Sequence, residues 1–109
     1  MTERTASDAD LAAQRAAIDA VDHALLDLVA RRRALVAGLF AHKRASGLPL
    51  VDPEREQALL ADRRAAAERL GVPGALAEQI FRALLEVSHA QAEAGAGEPP
   101  SLRDKKMTV

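Results

Sequence analysis

From Leu11 to Ala45 the sequence has no proline and a single glycine, Gly38, and apolar residues return every three or four positions. That pattern specifies one helix of more than about 30 residues. At about 1.5 Å per residue it extends roughly 50 Å, beyond the width of a compact domain of about 100 residues. The remainder of a 109-residue chain cannot cover such a helix along all its apolar sides. A homodimer that pairs two long helices is therefore expected.

The punctuation after this helix is explicit. Ser7 or Asp8 is placed to cap its start, and Asp8 and Asp10 complement the positive end of its dipole. The segment "SGLPLVDP", residues 46 to 53, ends the pattern with Gly47, Pro49 and Pro53. Asp52 followed by Pro53 is a cap and a first helical residue, opening a second helix to about Leu70 that stops at Gly71. After "GVPG" a third helix is expected over about residues 75 to 94, with Leu76, Ile80, Phe81, Leu84, Val87 and Ser88 on one broad face. The expected fold is all-α: one long and two shorter helices in an intertwined homodimer. Residues 1 to 10 are expected to be a flexible N-terminus, 11 to 94 the helical domain, and 95 to 109, rich in Gly, Pro and charge, a disordered tail.

Composition narrows the function. A formal net charge of −1 and two Phe as the entire aromatic complement give neither a basic footprint nor a stacking platform for nucleic acid. Zero cysteines exclude disulfides and thiolate metal sites, and His23, His42 and His89 have no metal-ligand spacing, so no metal or other cofactor is expected. His42 and His89 are read as exposed, without a role. The polar start "MTERTASDAD" is unlike a signal peptide, and no apolar run approaches the roughly 20 residues of a membrane span. A cytoplasmic protein with no membrane partner is expected.

Against this background, charge on the apolar side of the long helix stands out. Steps of seven give Leu11, Ile18, Leu25, Arg32 and Leu39, so a guanidinium interrupts an apolar column. Lys43, eleven residues after Arg32, returns to within roughly 20° of the same face, about 16 Å along the axis. Two long cations there can converge on a small dianion. Arg15 lies beside the same stripe but about 25 Å from Arg32, so it can join such a site only from the partner of an antiparallel helix pair. Asp52, Arg55 and Glu56 open the second helix, and Ser88 ends the apolar face of the third. Taken singly, each has a bland explanation. An arginine within "RRR" is ordinarily a surface or snorkelling residue, Asp52 a cap, Glu56 a first-turn acid, and Ser88 a small packing residue.

The ordered set carries more than its members. "QRAAIDAVDHALLDLVARRRALVAGLFAHKRASGLPLVDPEREQALL" resembles the all-helical chorismate mutases. Their pattern of Arg-x-x-Ile-Asp, a later Arg on the same helix, Lys eleven residues on, a Pro-containing loop and Asp-x-x-Arg-Glu is matched by Arg15, Ile18, Asp19, Arg32, Lys43, Pro49, Asp52, Arg55 and Glu56. The likeness continues through "IFRALLEVS", Ile80 to Ser88, and covers about residues 11 to 92.

The resemblance implies a Claisen rearrangement of chorismate to prephenate, in which an ether C–O bond breaks as a C–C bond forms. It also implies the roles. Arg32 and the Arg15 donated by the second subunit clamp the carboxylates, and Lys43 donates to the ether oxygen. Glu56 and the backbone near Asp52 receive the ring hydroxyl, Arg55 frames that end, and Ser88 touches a carboxylate. The chain departs from the family at one place. Four residues after Ser88, where Gln or Glu usually supplies a second donor to the ether oxygen, it has Ala92. Gln91 stands one residue early, rotated by about 100°, and would need a π-bulge or a shifted helix to serve.

Two alternatives share the fold, a mutase for 4-amino-4-deoxychorismate and a pyruvate lyase for isochorismate, because Glu56 can receive a hydroxyl or an amine. A third is not an enzyme at all but a helical dimerisation or regulatory module, whose arginines form interhelical salt bridges.

Overall fold

A computed structural model of the chain describes residues 2 to 96, with side chains for 7 to 95. The described residues form three helices: α1 (Thr2–Ala45), α2 (Pro53–Arg69) and α3 (Gly74–Ala96). Helix α1 begins nine residues before Leu11, so Ser7 and Asp8 lie inside it and do not cap it. Residues 2 to 10, expected as a flexible lead-in, are helical. Of the expected tail, Gly95 and Ala96 complete α3, and 97 to 109 fall outside the described residues.

The chain divides after Leu35 into two units. The first consists of α1 up to Leu35, and its apolar column is open to solvent: Leu11, Ile18 and Leu25 are 45%, 60% and 51% exposed. The second begins at Val36 and contains the end of α1 together with α2 and α3, which pack on each other. Its interior is built from Phe40, Leu59, Ala67, Ala77, Leu85 and Ala92, with Ser88 as the buried polar residue.

On α3 the buried ridge shares Ser88 with the expected face, and Phe81 and Leu84 of that face are half-buried. Ala77, Leu85, Ser88 and Ala92 are buried, whereas Leu76, Ile80 and Val87 are exposed. Three of the four, Ala77, Ser88 and Ala92, are small and let two helices approach closely, so the ridge that packs is not the one with the bulkiest residues. Arg63 lies over the Phe81 ring at 5.8 Å, and Glu78 receives Arg64 from α2 at 3.8 Å and Arg82 from α3 at 3.7 Å. These contacts are partly solvated and close the rim of the α2–α3 seam with small energetic effect.

Two helix ends use the same device. After α1, Gly47 takes φ 69°, the Leu48 amide donates to Lys43 O at 2.8 Å and the Gly47 amide to Arg44 O at 3.2 Å. After α2, Gly71 takes φ 76°, and Val72 and Gly71 donate to Ala67 O and Glu68 O at 2.8 and 3.1 Å. Both are Schellman turns, in which a left-handed residue lets the chain fold back on the last carbonyls; a Cβ would strain that backbone.

Candidate active site

The loop after α1 is tied back onto the helix it leaves. Because the Schellman turn reverses the chain at Gly47, the Leu50 carbonyl comes within 3.2 Å of Lys43 Nζ, which donates to it. Lys43 is thus held at both ends, by its own carbonyl to Leu48 and by its ammonium to Leu50. Two residues later Asp52 adopts an extended backbone (φ −127°, ψ 99°) and caps α2, its Oδ1 accepting the Arg55 amide at 3.1 Å. Pro53 follows, with φ already suited to a first helical turn, and the Glu56 amide donates to Asp52 O at 3.0 Å. This cap fixes where Arg55 and Glu56 leave the helix.

Glu56 then meets α3. Its Oε2 lies 2.7 Å from His89 Nε2, and because a carboxylate only accepts, the ring nitrogen donates. The pair borders a cavity of about 260 Å³ lined by Glu56 and Leu60 of α2 and by Arg82, Leu85, Glu86 and His89 of α3. His89, expected to be exposed and without a role, is half-buried and engaged. Its partner lies 33 residues away on another helix, a distance over which no periodicity in the sequence signals contact.

The remaining candidates are placed as follows. Arg15 and Arg32 belong to the first unit, the other six to the second. Within "RRR", Arg32 is half-buried while Arg31 and Arg33 are exposed. Ser88 is 6% exposed, and its hydroxyl donates to Leu84 O at 3.0 Å, back onto its own helix. Gln91 is half-buried and Ala92 is 6% exposed. Helix α3 is α-helical from Gly74 to Ala96, so no π-bulge rotates Gln91 into the place of Ala92. Arg44, at the end of α1 and without a signal in the sequence pattern, reaches that level of α3: its Nη2 donates to Ala92 O at 3.1 Å, and its guanidinium lies against Gly95. A cation there complements the negative end of the α3 dipole.

No helix among the described residues is long and apolar enough to cross a membrane.

Comparison with known proteins places the sequence in a family. The profile of chorismate mutase type II matches residues 14 to 93, a span that holds all eight candidate residues. The T-protein of Enterobacter agglomerans is 49% identical over 81 residues, 74% of this chain and 22% of the relative. The T-protein of Haemophilus influenzae is 40% identical over 76 residues, 70% of this chain and 20% of the relative. The chain thus spans about a fifth of the length of these curated relatives. No solved structure matches it significantly. With the family profile covering both units, the chain belongs to the chorismate mutase type II family.

Proposed function

We propose that the protein rearranges chorismate to prephenate as a homodimer in which each site takes Arg15 from the opposite subunit. The observation that carries this reading is the family match over residues 14 to 93, which includes Arg15, Arg32, Lys43, Asp52, Arg55, Glu56, Ser88 and Gln91. The reaction is intramolecular and needs no nucleophile. Catalysis lies in holding a flexible dicarboxylate in its diaxial, chair-like shape and in stabilising negative charge as it develops on the ether oxygen.

Cations on a shaped surface are the tools for that task. Arg32 and the opposite subunit's Arg15 take the two carboxylates, where a planar guanidinium fork suits bidentate binding. Lys43 donates to the ether oxygen, and its tether to Leu50 O supports the reading by restricting a long side chain before substrate arrives. Glu56 receives the ring hydroxyl, beside the backbone of Asp52, with Arg55 framing that end. Ser88 meets a carboxylate once its hydroxyl leaves Leu84 O. With Ala92 in place of an amide, Lys43 is the principal donor to the ether oxygen and Gln91 contributes from the margin.

The dimer is supported by the apolar column of the first unit, which the single chain leaves exposed at Leu11, Ile18 and Leu25. Following chorismate loss and prephenate formation with purified protein tests the reading directly. Turnover of chorismate is expected. Rapid turnover of 4-amino-4-deoxychorismate or isochorismate with none of chorismate would move the assignment to those substrates. An Arg32→Ala variant that weakens assembly, in a protein inert to all three, would make it a dimerisation module.

A further inference from the structure

We propose that His89 is a positioning residue for Glu56, fixing the carboxylate that receives the substrate's ring hydroxyl. The inference rests on the mutase reading above and assigns a role to a side chain outside the family pattern matched in the sequence.

The geometry is specific. Glu56 leaves α2 at its first turn, where the Asp52 cap sets the backbone but leaves the side chain's own torsions free. His89 Nε2 holds Oε2 at 2.7 Å, the short distance of a hydrogen bond to a charged acceptor. Oε2 thereby accepts from the ring, and Oε1 retains its capacity to accept from a ligand. The charged groups that share the cavity wall with the ring are Glu56 from α2 and Arg82 and Glu86 from its own helix. Arg82 is directed to Glu78, so the ring is the neighbour that holds Glu56. His89 leaves α3 from a turn within the regular helix Gly74–Ala96, beside the buried Ser88, which sets the position from which the imidazole departs.

A residue that acts through Glu56 has a signature that a packing residue lacks: its loss matters only while Glu56 is present. His89→Ala is expected to lower kcat/KM for chorismate by about fivefold, below the usual effect of a hydrogen bond to a charged group because the pair is partly solvated. His89→Gln, whose amide nitrogen can reach the place of Nε2, is expected to recover most of that loss, and His89→Asn, which is shorter, to recover little. In a Glu56→Gln background, His89→Ala is expected to cost less than about twofold further. Circular dichroism of each variant separates these effects from loss of helix. Losses that multiply in the double variant, or no rescue by glutamine over asparagine, would overturn the role of His89 while leaving the mutase reading intact. No turnover of chorismate by the unaltered protein would overturn both.

Discussion

The two units of the chain bury apolar surface by different means. From Val36 onward the interior closes within one chain, using small residues such as Ala67, Ala77 and Ala92 around Leu59, Leu85 and Phe40. Up to Leu35 the helix is equally regular, yet Ile18, Val21 and Leu26 are 60%, 62% and 65% exposed. Helical regularity therefore says nothing about whether a helix is self-sufficient. The later unit buries a small core by its own contacts, and the earlier one presents a surface that a second chain is proposed to complete, bringing Arg15 with it.

This contrast can be broken most forcefully in the earlier unit. Leu25→Asp puts a carboxylate in the exposed apolar column, and it should weaken dimerisation by at least about 10³-fold in sedimentation equilibrium. Unchanged association would remove the proposed interface. Exchange of Arg15 between subunits has a sharper test. Arg15→Ala and Arg32→Ala should each lower turnover by about 10²- to 10³-fold, yet mixing the two should restore about a quarter of the unaltered activity. In a mixed dimer one site keeps both arginines and the other loses both; no recovery on mixing would place Arg15 in its own subunit's site.

The later unit should respond in stability. Leu59→Ala, at a position 7% exposed, is expected to cost about 2 kcal/mol in denaturant unfolding, whereas truncating a half-exposed partner such as Arg64 should cost well under that. Asp52→Ala removes the α2 cap and should cost about 1 kcal/mol.

How much of this was legible in the sequence depends on where the information lies. The end of α1, the Asp52–Pro53 start and the Gly71 stop are written in residue types whose backbone preferences are local, and the structure follows them. The start of α1 is not punctuated in the same way. A Ser or Asp can cap a helix but does not forbid one, and "TERTAS" carries no breaker, so the helix runs to Thr2. On α3 the expected face is met in part: Ser88 is buried and Phe81 and Leu84 are half-buried, but apolar bulk alone does not say which ridge two helices bring together within one chain. Close approach of helices also buries Ala77 and Ala92, which lie off that face, and leaves Leu76, Ile80 and Val87 exposed in the single chain. The Glu56–His89 and Arg44–Ala92 contacts join segments 33 and 48 residues apart, and packing alone brings them together.

The tether of Lys43 has a consequence for how this protein can vary. Surface loops ordinarily absorb insertions and deletions. The segment from Ser46 to Val51 is different, because one helix end folds it back and Leu50 supplies the carbonyl that holds the ammonium. One residue added between Gly47 and Leu50 would leave both helices intact and carry that carbonyl away. Beyond the glycine at its turn, length is what this loop has to keep.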